Sequence, residues 1–151
     1  MRGMTLASVV SVISAGLVLG CGDRPSETSM ASVNLYQNWQ LQPGDAVQTY
    51  SVVSGLGDVS LDLDGAAVLA PFRGTMQRMD GSCALFTSPD VPAYRFRLCG
   101  LSQPQLGEVN AGDRLGSAQI LTLALLRRQT DGTWAMVEPS VTMLEQWLPD
   151  A

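Results

Sequence analysis

The side chains that could do chemistry in this sequence are carboxylates, arginines and cysteines. Asp62 and Asp64 are expected to project from one strand face, with Asp58 near them. Paired carboxylates can act as the acid and the base of glycoside hydrolysis, and clustered ones can bind calcium. An acidic outer face is also typical of a half-buried strand, and no loop has the spacing of a dedicated calcium site. The pattern favours the acidic strand face, and we expect no catalytic residue, resident metal or cofactor here.

Composition excludes several kinds of enzyme. The chain has no histidine, and all nine of its basic residues are arginines. Catalytic nucleophiles activated by histidine are therefore excluded in their usual form, as is Schiff-base chemistry on a lysine. Without Arg2 in the leader, eight arginines face 14 acids, a net charge of −6. This balance disfavours nucleic acid, or an anionic lipid surface, as a general partner.

The amino terminus has the pattern of an export signal. Arg2 is followed by an uncharged apolar run, which suits the h-region of a signal peptide better than a membrane-spanning helix. The run ends in Val-Leu-Gly-Cys at 18–21, which resembles a bacterial lipobox, although Leu19 stands where a smaller residue is more usual. We expect residues 1–20 to be a lipoprotein signal peptide. A plain secretory signal cut near Gly20 is the alternative.

Lipidation at Cys21 would anchor the exported protein to a membrane, facing the periplasm or the cell exterior. Two or more acyl chains give stable anchoring, since each buried CH₂ contributes about 0.8 kcal/mol. The polar segment 21–32 is predicted to be a flexible tether, and residues 33–151 to form one domain.

The other two cysteines are predicted to face each other across a hairpin. If Ser88–Pro92 is its loop, Cys83 lies opposite Cys99 and the reverse face is wholly apolar. A register slip of one residue would bury arginines. In an oxidising compartment the two cysteines could form a disulfide, and two free thiols are the alternative.

The same register places Arg95 and Arg97 on the face that carries the cysteines. Guanidinium groups bind carboxylates, which peptidoglycan stem peptides carry. The pair is therefore a candidate contact for peptidoglycan or an envelope protein. Solvated arginines on an exposed strand are the alternative.

The remaining patterns predict an all-β domain with a short C-terminal helix. Leu106–Gln119 has the signal of a tight hairpin around an Ala-Gly-Asp turn. Ile120–Leu126 is almost continuously apolar, as in a central strand buried on both faces, and Thr133–Val137 is predicted to return antiparallel. Ser140 can cap a helix over 141–148.

Two glycine-containing segments carry a family resemblance. Gly65-Ala-Ala-Val-Leu-Ala-Pro-Phe-Arg-Gly74 and Val109-Asn-Ala-Gly-Asp-Arg-Leu-Gly116 resemble the frame of lysostaphin-type (LytM-like) zinc endopeptidase domains, over about residues 57–139. Biotinyl, lipoyl and membrane-fusion adaptor domains share this frame more distantly. The resemblance implies a small barrel-sandwich hybrid, that is, a duplicated hybrid motif. Carrier function would need a lysine to modify, and an adaptor would need a helical hairpin where residues 75–106 are predicted to be strands.

The resemblance also assigns positions to the zinc site. Asp62 corresponds to the early aspartate and Asp58 to the early histidine. Leu98 falls on the histidine of the Tyr-x-His segment, and Ile120 and Thr122 fall on the late His-x-His. Every histidine ligand is thus replaced, and zinc hydrolysis needs imidazole or thiolate ligands.

These positions imply a degenerate domain that binds or scaffolds without catalysis. A peptidoglycan hydrolase with an atypical carboxylate site and a purely structural lipoprotein are the alternatives.

Overall fold

The computed structural model describes residues 35–36 and 39–150. The described residues are 47% strand and 4% helix, and their single short helix follows the last strand. These proportions confirm the predicted all-β class with a short C-terminal helix. The predicted signal peptide 1–20, the lipidated Cys21 and the tether 21–32 lie outside the described residues.

The strands form one large sheet and one small sheet. The strands are β1 Leu35–Tyr36, β2 Ala46–Val47, β3 Tyr50–Ser54, β4 Val59–Asp62, β5 Ala67–Leu69, β6 Gly74–Arg78, β7 Cys83–Thr87, β8 Tyr94–Cys99, β9 Gly107–Val109, β10 Arg114–Ser117, β11 Ile120–Arg128 and β12 Trp134–Pro139; the helix, α1, is Val141–Glu145.

The long strand β11 is the centre of the large sheet, as its apolar sequence predicts. Along one edge it pairs antiparallel with β8. Along the other edge it pairs first with β4 and then with β12. The sheet runs β2-β3-β4-β11-β8-β7-β6-β9, with β1 attached to β12, and the sheets are not closed into a barrel. Segments far apart in sequence therefore meet at β11.

The hairpin of β7 and β8 has the predicted register. Cys83 lies opposite Cys99, and Phe86 lies opposite Phe96. The two cysteine sulfurs are 1.97 Å apart, at disulfide distance. Both phenylalanines are fully buried, so burial of the apolar face fixes this register.

The hairpin predicted over Leu106–Gln119 is wrong, although its turn is present. Asp113 accepts a hydrogen bond from the backbone N–H of Asn110 at 2.7 Å, and Gly112 has the positive φ, 85°, that the turn needs. The two flanking strands do not pair with each other. Instead β9 pairs with β6 in the large sheet, and β10 pairs with β5 in the small one. The turn carries the chain from one layer to the other because each strand buries its apolar side chain against a different partner.

The core lies between the large sheet, the small sheet and the C-terminal segment. Trp147 is its largest fully buried side chain, and its ring lies 5.3 Å from that of Phe86 and 5.0 Å from that of Phe96. Ser140 caps α1 as predicted, accepting from the N–H of Met143 at 3.1 Å. The helix ends at Glu145, three residues before the predicted end. In the described part of the chain no helix has the length and hydropathy of a membrane span.

Candidate functional site

Most of the predicted site residues lie on the face of the large sheet that points away from the core, here called the outer face. Strand pairing puts Asp62 beside Ile120, and Thr122 beside Cys99. Arg97 and Arg95, two and four residues before Cys99 in β8, lie on the same face. Paired residues in a sheet share a face, so the register alone brings these positions together.

One predicted position lies on the opposite face. Leu98 pairs with Leu123, and both are buried in the core. The structure therefore separates Leu98 from Asp62 and Thr122, and the three do not line a common pocket. The separation follows from the alternation of side chains along β8.

The carboxylate pair predicted on one strand face is not formed. Strand β4 ends at Asp62, and Asp64 lies in the following turn with φ 48°. The backbone N–H of Asp64 donates to Asp62 at 3.2 Å, so the first carboxylate helps to hold the turn. Both side chains are exposed. This geometry is that of a turn at a strand end.

A pair of hydroxyl groups lies next to Asp62 on the outer face. The side-chain oxygens of Ser60 and Thr122 are 2.8 Å apart, across β4 and β11. Ser60 is buried, and Thr122 is half-buried. The position that the resemblance assigns to a zinc ligand is thus part of a hydroxyl–hydroxyl contact. A neutral hydroxyl pair does not supply the imidazole or thiolate donors on which zinc hydrolysis depends.

Asp58 and Arg97, which the sequence assigns to different sites, bind each other. The guanidinium of Arg97 donates to the Asp58 carboxylate at 3.2 Å. Ala124, which pairs with Arg97 in β11, is buried. Arg97 also has a buried Nε without a hydrogen-bond partner in the described part of the chain. Asp58 therefore partly neutralises one of the two candidate arginines.

Arg95 has a different neighbour. Its guanidinium carbon lies 4.2 Å from the ring centroid of Trp134, in β12. This cation–π contact leaves the edge of the guanidinium free to donate hydrogen bonds. Arg95 is exposed, so it is the more available of the two arginines for an anionic ligand.

The outer face therefore presents two guanidinium groups in different surroundings. The described residues contain no group of three or more histidine, cysteine, aspartate or glutamate side chains that could hold a metal. An exposed guanidinium on an indole ring and a second guanidinium with a carboxylate partner suit the recognition of a carboxylate.

Sequence reasoning missed two side chains of this region. Trp134 was placed on a returning strand, but its contact with Arg95 depends on both β8 and β12 flanking β11. Glu138 was not singled out; it is buried and accepts the backbone N–H groups of Gln40 and Leu41, each at 2.6 Å. A lone acid in an otherwise apolar strand is the signal that could have identified it.

Neither known protein-family models nor curated protein sequences match this chain.

Proposed function

We propose that this chain is a membrane-anchored lipoprotein of the cell envelope, whose β domain is a non-catalytic binding or scaffolding module with a lysostaphin-type frame. The observation that carries the proposal is the replacement of every histidine ligand of that frame, in a chain that contains no histidine. The lipobox-like sequence before Cys21 supports the anchor. The positions that would hold the metal carry a carboxylate, a hydroxyl or an aliphatic side chain.

The outer face supports binding as the activity of the domain. Arg95 is exposed and Arg97 is half-buried, on a protein of net charge −5. A local pair of guanidinium groups on an acidic protein can bind a carboxylate at one place, whereas a uniformly basic surface attracts anions everywhere. The free carboxylates of peptidoglycan stem peptides are the ligand class that we propose for it.

Retention of the purified protein on sacculi tests this proposal. We expect an Arg95→Ala/Arg97→Ala variant to bind about tenfold more weakly, because a hydrogen bond to a charged group contributes about 1.5 kcal/mol or more. Arg78→Ala is the matched control, since Arg78 is exposed at the end of β6 and should bind like the wild type. Equal retention of all three proteins would exclude this binding site.

A lytic assay separates this proposal from the hydrolase alternative. We expect no clear band when the protein is run in a gel containing peptidoglycan. A lytic band from the wild type that disappears in Asp62→Asn would contradict the non-catalytic proposal.

A further inference from the structure

Three segments that carry exposed apolar side chains meet beside β12. Leu56 is 86% exposed, Met136 38% and Trp39 37%. They come from three segments far apart in sequence, and together we call them the amino-terminal patch. An isolated exposed apolar residue is ordinary, but side chains brought together from separate segments indicate a contact surface.

Specific contacts hold the segment that carries Trp39. The buried Glu138 carboxylate accepts the N–H groups of Gln40 and Leu41, which fixes residues 39–41 against β12. Trp39 and Met136 line the same shallow depression on this surface. The position of Trp39 is therefore determined by the fold.

The glycines beside Leu56 hold it at the same place. Gly55 is buried, and a Cβ atom there would clash with the carbonyl oxygen of Leu41. A Cβ atom at Gly57 would lie 3.3 Å from the sulfur of Met136. Close backbone approach thus places the loop 55–57 between the other two segments, with Leu56 projecting into solvent.

The charged side chains of β11 beside the patch are arginines, and Asp58, two residues after Leu56, is bound by Arg97. Arg127 lines the depression with Trp39 and Met136, and Arg128 follows it; both arginines are exposed. From Ile120 to Pro139 the sequence has two acids, namely Asp131 in the turn and Glu138, whose carboxylate is buried. Apolar side chains beside a tryptophan and arginines are the composition of membrane-interface surfaces.

The first described strand lies beside β12, which carries Met136. Strand β1 pairs with β12 at Pro139 and Glu138. If Cys21 carries the anchor, the segment 22–34 can separate the domain from the bilayer by no more than about 45 Å, at about 3.5 Å per residue. An anchor at this distance raises the local concentration of lipid to about the millimolar range, where a weak contact suffices.

We propose that the amino-terminal patch docks on the phospholipid bilayer that holds the Cys21 anchor, with Leu56 inserted at the headgroup–acyl boundary. This inference rests on the lipoprotein function proposed above. The docking orients the domain without conflicting with its net negative charge, because the contact is local, apolar and flanked by arginines.

Quenching by brominated lipids tests the docking in the full lipidated protein, reconstituted into phosphatidylcholine nanodiscs. The test variant is Leu56→Trp, and the matched control is Leu106→Trp, since Leu106 is 42% exposed and lies outside the patch. After subtraction of the wild-type signal, we expect acyl-chain bromines to quench the tryptophan at position 56 at least about twofold more than the one at position 106. Including phosphatidylglycerol should increase the difference.

Two outcomes would overturn the inference, and flotation of each sample on a density gradient tells them apart. If the wild type floats with lipid and Cys21→Ser does not, but both tryptophan variants are quenched equally, the patch does not dock and the anchor stands. This is also the result expected if a protein partner covers the patch. If the wild type does not float, the anchor is wrong and the docking falls with it.

Discussion

At the scale of single residues, Glu138 shows how one buried carboxylate can fix a chain segment. Its two oxygens accept N–H groups from successive residues, Gln40 and Leu41, and the side chain is 1% exposed. A buried carboxylate is tolerated when hydrogen bonds replace its hydration. The same contacts position Trp39 in the amino-terminal patch.

Removing this carboxylate should destabilise the domain. We expect Glu138→Ala to lower the free energy of unfolding by about 3 kcal/mol, because two backbone N–H groups lose charged acceptors. Glu138→Gln retains one carbonyl acceptor and should lose about half as much. Urea unfolding of both variants is the measurement. An unchanged midpoint for Glu138→Ala would show that the contact does not stabilise the domain.

A second carboxylate affects how stability depends on pH. The side-chain hydroxyl of Thr133, followed by its backbone N–H, donates to Asp131 and lowers the pKa of this carboxyl from 3.8. Because the pKa is lowered on folding, the associated stabilisation is complete above the unfolded pKa and is lost as the pH falls through the folded pKa.

We therefore expect Thr133→Val to raise the pKa of Asp131 while leaving it below 3.8, since the backbone donor remains. An NMR titration of the Asp131 carboxyl measures this change. Thr130→Val, in the same turn, is the control and should leave the pKa where it is in the wild type. The same pKa in Thr133→Val and the wild type would rule out the hydroxyl as its cause.

At the scale of elements, the hairpin of β7 and β8 combines a local register with a covalent cross-link. The register follows from period-two alternation across a short loop, so its apolar face is buried whether or not the cysteines are joined. A bond between Cys83 and Cys99 closes a loop with a sequence separation of 16.

We expect this bond to stabilise the domain by about 3 kcal/mol in the chain-entropy model. Thiol titration of the unfolded, unreduced mature protein should find no free thiol at these positions, and reduction should lower the urea midpoint. The double variant Cys83→Ala/Cys99→Ala should not respond to the reductant. Two titratable thiols in the wild type would refute the disulfide.

The C-terminal segment closes the core through one aromatic side chain. Trp147 packs against Phe86 and Phe96, and its indole nitrogen has no hydrogen-bond partner among the described residues. We expect Trp147→Ala to cost about 4 kcal/mol through the cavity that it leaves. Trp147→Phe keeps most of the aromatic contact and loses no hydrogen bond, so it should cost less than half as much. Equal losses in urea unfolding would contradict this ordering.

At the scale of the whole molecule, the outer face and the amino-terminal patch are neighbouring surfaces. They join at Met136, which pairs with Leu126 and so shares the face of Arg95. The outer face offers guanidinium groups, and the amino-terminal patch offers apolar side chains next to arginines. A domain that contacts lipid at the patch would keep Arg95 at a fixed distance from the bilayer. The two proposals therefore describe one oriented binding module.

The absence of imidazole leads to a prediction about the purified mature protein. We expect it to contain no stoichiometric zinc by elemental analysis, because the chain has no imidazole with which to hold the ion. We also expect a chelator to leave its thermal midpoint unchanged. Tightly held zinc together with peptide cleavage that a chelator abolishes would overturn the proposed function.

Four features of the fold were predictable from the sequence, namely the all-β class, the central position of β11, the Ser140 cap and the register of the cysteine hairpin. Each depends on alternation, turn chemistry or capping within a few neighbouring residues. The absence of histidine and lysine side chains was equally evident from the sequence, because folding cannot supply a side chain that the sequence does not encode.

Tertiary structure alone decided which strands meet at β11. That choice paired Asp58 with Arg97 and placed Arg95 over Trp134. Tertiary structure also parted the strands on either side of the Asn110–Asp113 turn, because each pairs with a different distant strand. Contacts between distant segments depend on how all the apolar faces share one core, and local sequence patterns carry no information about that competition.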